Sequence, residues 1–184
     1  GHWLDDYVLF MAVVKSNQMR PWNTWVADIA TRKKSAISKA KKTYEQEIKL
    51  EYWLQYEFLN QWLALKEYAN SKGIRVIGDI PIFVDHNSAD VWANTEYFAV
   101  DKKGYRTLVA GVPPDYFSET GQLWGNPQYQ WGALEKDGYS WWIKRFKHMF
   151  LTCDAIRVDH FRGFDAYWEI PASEKTAING RWVK

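Results

Sequence analysis

Asp154-Ala155-Ile156-Arg157-Val158-Asp159 is the stretch on which the reading of this chain turns. Its branched apolar residues follow a helical pattern and lead into His160-Phe161-Arg162-Gly163-Phe164, which predicts a short strand emptying into a loop. Successive strand side chains point to opposite faces, so Ile156 and Val158 share one face and Arg157 and Asp159 share the other. Strands of parallel α/β sheets are usually apolar on both faces. Two opposite charges on one face therefore mark either a solvated or architectural ion pair, or chemistry displayed at the C-terminal mouth of a sheet, where barrel active sites lie.

Working outward, Gly138 precedes a helical pattern in which Tyr139, Trp142, Ile143, Phe146, Met149 and Phe150 recur. Further upstream, Ile74-Arg75-Val76-Ile77-Gly78-Asp79-Ile80 reads as a second short strand, stopped by Pro81 and carrying Asp79 near its end. A long helix or helix pair is expected from about Ser35 to Asn70, with Gly73 as its C-terminal punctuation. Ile48, Tyr52, Tyr56, Leu59 and Leu63 form one stripe of it, and Leu54, Phe58, Trp62 and Leu65 form another. Together they cover about half the circumference, which predicts a helix lying in a groove between neighbours. Trp3 to Val14 predicts an apolar helix with Asp5 and Asp6 in its first turn, broken by the run Arg20 to Trp25. Helix, glycine, strand in close succession is the signature of an α/β unit. The tail from Glu169 to Lys184 reads as loop with one polar turn.

The 184 residues carry 24 basic and 22 acidic groups, a net charge of +2, too balanced to imply a nucleic-acid partner. The basic cluster Arg32-Lys33-Lys34 with Lys39, Lys41 and Lys42 reads as a solvated helix face. Cys153 is the single cysteine, which excludes an internal disulfide and a cysteine-built metal site, and it reads as a small buried apolar residue. No run approaches the length of a membrane span, and the start lacks a signal-peptide pattern, so a soluble intracellular protein is expected. The opening Gly1-His2 has no initiator methionine and reads as a cut or an appended remnant rather than the natural start. His86, His148 and His160 form no metal-binding run, the glycines match no nucleotide-binding pattern, and His148 reads as structural.

Twelve Trp, eleven Tyr and nine Phe make the aromatic content 17%, which suits either a ring-padded core or a groove that stacks ring-shaped ligands. Residues 85–136, rich in Gly and Pro, are long for a plain connection and read as a small inserted subdomain or functional loop. Tyr116, Phe117, Trp124, Tyr129 and Trp131 crowd that stretch. Rings beside carboxylates suit carbohydrate, because the rings cover a sugar's apolar face and the acids take its hydroxyls.

Several runs together resemble the 4-alpha-glucanotransferase family, also called amylomaltase or disproportionating enzyme. They are Asp79-Ile80-Pro81-Ile82-Phe83-Val84, the stretch from Val109 to Ser118, Gly121-Gln122-Leu123-Trp124-Gly125-Asn126-Pro127, Arg157 to Phe164, and Ala166-Tyr167-Trp168-Glu169-Ile170-Pro171. The resemblance spans essentially the whole chain. It implies an α/β fold, a partial (β/α)8 TIM barrel with a helical insertion and a long aromatic-rich loop region. The matching division is a helical insertion subdomain over 1–72 and a partial catalytic barrel over 73–184, with 85–136 as a loop excursion.

The resemblance also implies transfer of an α-1,4-glucan segment between maltodextrins with retention of configuration. On this chain Asp159 matches the nucleophile, Arg157 the arginine that holds it ionised and oriented, and Asp79 the family's first-region aspartate near the donor sugar. Tyr116, Phe117 and Trp124 match the aromatic loop lining the glucan groove, and His160 follows the nucleophile within its motif. A retaining mechanism needs an attacking carboxylate and a second carboxylic acid across the bond. Arg157, on the same face, would favour the charged form of Asp159. The family's acid/base glutamate and third aspartate come from later strands, and Glu169 matches a different segment, so a fragment inactive by itself is expected, with the remainder of the barrel as its partner. No cofactor, metal or membrane is expected, and the location would be cytoplasmic, or plastidial for a plant source. A hydrolase acting on the same bond and a non-catalytic glucan-binding piece are the alternatives.

Overall fold

The computed structural model describes residues 3–184, so the Gly1-His2 opening lies outside the described residues. The helix expected from Trp3 is α1 (Leu4–Ser16), with Asp5 and Asp6 in its first turn, where the helix dipole favours carboxylates. Val8, Leu9, Phe10, Ala12, Val13 and Val14 are buried in it, so its apolar run faces inward almost all round. After a 3-10 turn at Trp22–Thr24 come α2 (Ala27–Ala30), α3 (Lys34–Thr43) and α4 (Glu45–Ser71). The chain then enters β1 (Ile77–Pro81), α5 (Ala89–Ala93), β2 (Leu108–Val112) and β3 (Gln122–Pro127). It continues through α6 (Trp131–Lys136), α7 (Ser140–Thr152), β4 (Ala155–Asp159), β5 (Tyr167–Pro171) and β6 (Arg181–Val183).

These six strands make two sheets rather than one closed ring. β1 and β4 pair in parallel, with Ile77 opposite Ala155 and Pro81 opposite Asp159. The second sheet has the order β3-β2-β5-β6 and is antiparallel throughout. The stretch 85–136 therefore carries ordered elements, and β2 is an inner strand of the second sheet. The tail read as loop, Glu169 to Lys184, supplies the end of β5 and all of β6. β6 spans only Arg181 to Val183, too short to show an alternation, and beside the Trp168–Trp182 ring contact Arg181 donates to the buried Glu169 at 3.0 and 2.8 Å.

One apolar cluster ties α1 to the parallel pair. Leu9, Phe10, Trp22, Trp92, Ile80, Ile82 and Trp142 belong to it, and Ile156 and Val158 pack against it from β4. Much of the aromatic excess is spent here. Trp22, Trp25, Trp92, Trp141 and Trp142 are all buried, each able to contribute several kcal/mol by burial (truncating a buried Trp costs about 3–5 kcal/mol). Arg32 departs from the solvated reading of its basic cluster: it pairs with Asp6 and lies 4.3 Å over the Trp92 ring. Cys153 is buried as expected, and His148 lies 4.8 Å from the Trp3 ring.

The groove expected for α4 does not form among the described residues. At 27 residues the helix is roughly 40 Å long, and it is gripped near its ends. Glu51 pairs with Lys15 of α1, while Trp62 donates to the Thr152 carbonyl and Lys66 pairs with Asp154 at 2.7 Å. Trp53, Leu54, Tyr56, Phe58 and Leu65 stay exposed between those contacts. The helix closes as anticipated at Gly73, whose φ of +75° lets Ile74 N–H reach the Ala69 carbonyl.

Candidate active site

β1 and β4 bring three charged residues to one face. Asp79 and Arg157 are register partners, and Asp159 is two residues further along β4. Arg157 donates from Nε to Asp79 Oδ1 at 3.0 Å and from Nη2 to Asp159 Oδ1 at 2.8 Å, while the same Nη2 lies 2.9 Å from Asp79 Oδ2. The two carboxylates hold the guanidinium above its ordinary pKa, Asp79 chiefly by hydrogen bonding. The side chains of Asp79, Arg157 and Asp159 are 56, 62 and 59% exposed. An exposed pair contributes little to stability, so a solvated, aligned cluster of this kind is better explained as a site than as a staple.

Local backbone shapes the ground beyond Asp159. His160 adopts a left-handed conformation, with φ of +51°, and turns the chain into a 3-10 segment over Phe161–Phe164. Such a conformation is uncommon outside glycine and worth noting at the edge of a carboxylate cluster. The turn is tight against β1's exit: a Cβ on Gly163 would meet Ile82 Cδ1 at 2.7 Å. His160 packs edge-on to Trp124 at 4.9 Å and near Phe83 at 6.4 Å. Its Nε2 is buried without a protein partner. Desolvation lowers its pKa, against the opposing pull of Asp159. The imidazole is therefore biased to its neutral form beside the carboxylate.

The aromatic loop divides. Trp124, on β3, faces Phe83 at 6.2 Å as well as His160. Tyr116 and Phe117 stand out in solvent, 97 and 92% exposed, and touch each other edge to face at 5.6 Å. The turn that presents them is built by Asp115, whose Oδ1 accepts from the backbone N–H of Phe117 and Ser118. Tyr129 and Trp131 turn inward instead. Tyr129 is buried against Phe83, Phe98, Trp141 and Trp142, and Trp131 rests on Phe164. The structure thus brings Asp79, Arg157, Asp159, His160 and Trp124 together, and leaves Tyr116 and Phe117 on a neighbouring exposed turn.

Three residues at this site were not singled out from sequence. Phe83 bridges Trp124, His160 and Tyr129. Asn126 donates to the Val84 carbonyl, and Arg145 donates to the carbonyls of Pro81 and Ile82. Arg145 had a signal: it is a charge inside the apolar stripe Trp142, Phe146, Met149 of α7. A cavity of about 390 Å³ lies elsewhere, among α1, α5 and α7, and contains none of the three clustered charges. Among the described residues no group of His, Cys, Asp and Glu is arranged to hold a metal ion, and no helix is long and apolar enough to cross a membrane.

A family model described as 4-alpha-glucanotransferase matches residues 1–184. The 4-alpha-glucanotransferase of Thermus thermophilus is 52% identical over 182 residues, covering 99% of this chain and 36% of that protein. That of Clostridium butyricum is 50% identical over 183 residues, covering 99% and 38%. Among solved structures, an amylomaltase from Streptococcus agalactiae in complex with acarbose superposes with a TM-score of 0.95 at 39% identity, covering 99% of this chain and 37% of that one. The chain spans a little over a third of the length of the curated relatives it matches.

Proposed function

The chain belongs to the 4-alpha-glucanotransferase family, and from that premise we propose that it carries the nucleophile side of a site transferring α-1,4-glucan segments between maltodextrins by a retaining double displacement. The observation that carries this reading is the Asp79–Arg157–Asp159 cluster at the exits of two parallel strands. Asp159 Oδ1 is held by Arg157, which leaves Oδ2 as the oxygen with freedom to attack an anomeric carbon. Attack forms the glycosyl–carboxylate bond and breaks the glucosidic C–O bond, and the leaving 4-oxygen takes a proton from a second carboxyl group. The 4-hydroxyl of another glucan then displaces Asp159 and returns that proton.

Neither nearby alternative fits the acid. Asp79 accepts from Arg157 Nε through Oδ1 and pairs with its Nη2 through Oδ2, and Glu169 accepts twice from Arg181 in the antiparallel sheet. Both are placed as hydrogen-bond acceptors, whereas the acid must donate. On this reading the acid comes from a further part of a barrel, and the 184 residues alone do not turn over. Trp124, backed by the buried Phe83, offers an apolar face for a sugar ring beside the carboxylates, with Tyr116 and Phe117 extending the platform. The acarbose complex of the Streptococcus agalactiae amylomaltase supports a maltooligosaccharide as the occupant.

The test is product analysis. With these 184 residues in place of the matching stretch of the Thermus thermophilus relative, maltotriose should yield both longer and shorter maltodextrins. The isolated segment should yield neither. Glucose and maltose without longer products would point to hydrolysis, and turnover by the isolated segment would overturn the assignment of the acid to another part.

A further inference from the structure

The strand exit that carries Asp79 is clamped from outside its own sheet. β1 ends at Pro81, which has no N–H to give to a strand ladder, yet Pro81 is the register partner of Asp159. The final rung, where alignment of the two exits matters most, is therefore short of backbone bonding. Side chains take over. Arg145 Nη2 donates to the Pro81 carbonyl at 2.8 Å and its Nη1 reaches the Ile82 carbonyl at 3.4 Å. Tyr129 Oη donates to the same Ile82 carbonyl at 2.6 Å, and Asn126 Nδ2 to that of Val84 at 2.9 Å.

Arg145 is held to this task from the other side as well. Its guanidinium lies 5.4 and 4.8 Å over the rings of Trp141 and Trp142. Desolvation lowers its pKa, with Tyr129 and Asp90 opposing that shift. An arginine stays charged inside a protein, so its partial burial is favourable only where its donors and ring faces are used. Its two terminal nitrogens meet consecutive carbonyls, which is a use of the planar fork that a lysine cannot reproduce.

We infer that Arg145, with Tyr129 as the second arm, is a positioning residue that aligns Asp79 and Phe83 against Arg157, Asp159 and His160. The inference rests on the proposed function for its kinetic consequence, and on geometry alone for its structural one. Moving the Pro81–Ile82 peptide moves Asp79, two residues away on the same strand face, off its fork with Arg157. It also moves Phe83, whose ring packs on Tyr129 at 6.0 Å and faces Trp124 and His160. Arg145 touches none of the three clustered charges, so it acts through the backbone.

The experiment uses the same chimera with the Thermus thermophilus relative, unsubstituted and as Arg145→Lys and Tyr129→Phe. For maltotriose disproportionation, Arg145→Lys should lower kcat by about tenfold or more with KM within about threefold, since misplacement of about 1 Å can cost up to about a hundredfold. Tyr129→Phe keeps the ring and loses one donor, and should lower kcat by a smaller factor. A purely structural role would lower the melting temperature and leave kcat per folded molecule unchanged, which would overturn the inference. Crystal structures of the variants read the geometry directly: loss of the Asp79–Arg157 contact supports it, and retention overturns it whatever the rate does. If Arg145→Lys does not fold, Tyr129→Phe decides by the same two readouts. If the unsubstituted chimera makes no transfer products, the functional reading fails, and the structural arm still decides the inference.

Discussion

Asp79 and Arg157 face each other across the parallel β1–β4 pair, and both carboxylate oxygens of Asp79 lie within 3.0 Å of guanidinium nitrogens. The same Nη2 that reaches Asp79 Oδ2 also donates to Asp159 Oδ1. One planar cation thereby sets the separation of two acids that come from strands almost eighty residues apart. That relationship makes the cluster sensitive to the shape of its cation and not only to its charge.

Arg157→Lys keeps the charge but loses the fork, so it should lower transfer activity of the chimera by roughly a hundredfold. Asp159→Asn removes the carboxylate proposed as nucleophile and should lower it by about 10⁴-fold or more. Stability should barely respond to either, because all three side chains are more than half exposed. Initial rates on maltotriose, with thermal unfolding alongside, check both. An Asp159→Asn chimera with rates near the unsubstituted one would remove Asp159 from the role proposed for it.

Tyr116→Ala combined with Phe117→Ala should leave the unfolding free energy within about 0.5 kcal/mol, since the two rings are almost wholly solvent-exposed. The same pair should weaken binding of a maltooligosaccharide by roughly thirtyfold, each ring contributing about 1 kcal/mol of sugar contact. Denaturant melts and calorimetric titration of the chimera give the two numbers. Unchanged affinity would mean that this turn is not part of the groove.

Gly78→Ala places a Cβ 2.4 Å from Cys153 Sγ and 3.1 Å from the Met149 methyl. The overpacking should cost about 1–3 kcal/mol. Cys153→Ala, which removes the sulfur, should recover part of that loss, so the two substitutions are strongly non-additive. A double-mutant cycle on the 184-residue chain by urea unfolding measures the coupling, and simple additivity would contradict the packing described here.

Acid should destabilise the chain in two windows. His86 is buried against Trp22, with Nε2 2.8 Å from the Gly104 carbonyl, and burial lowers its pKa below the ordinary value. Between that lowered value and about 6.5 the unfolded chain binds more protons than the folded one. The contribution is therefore complete above about pH 6.5 and is lost as pH falls through the folded value. His160, lowered in the same direction by desolvation, adds to it. His86→Gln should flatten the decline in urea midpoint between about pH 7.5 and about pH 5.5; an unaltered slope would count against His86 as its source.

The lower window belongs to Asp154, which accepts from Lys66, Asn70 and the backbone N–H of Val76. Those partners, Lys66 foremost, hold its carboxyl well below the usual range. Its contribution is present above about pH 4 and is lost as pH falls toward the folded pKa. Asp154→Asn should weaken the chain at neutral pH and remove its share of the loss below about pH 4. Unfolding midpoints measured across that range check the sign.

Which parts were legible follows from range. The alternation of Arg157 and Asp159 is a property of six consecutive residues, and the structure places both on one face as alternation requires. Apolar runs announced α1, β1, α7 and β4 within a residue or two at most ends. β5 and β6 were not announced, because their pairing is non-local: Ile170 of β5 lies opposite Val109 of β2, and Glu169 meets Arg181 twelve residues on. The stripes of α4 predicted burial on both sides, and the helix instead exposes several large apolar residues, since periodicity reports what a helix could bury and not what lies against it.

By itself, the order of residues determined that two short strands end in acids, that an arginine shares a face with one of them, and that the connecting stretch is crowded with rings. Tertiary structure alone decided that Arg157 reaches Asp79 as well as Asp159, that Tyr129 turns inward while Tyr116 turns out, and that Arg145 grips the exit of β1. The physical reason is the same in each case. Strand alternation and helix period are imposed by bonded geometry over a few residues, whereas the direction of a guanidinium fork or an aromatic ring is chosen by carbonyls and faces that arrive from distant parts of the chain.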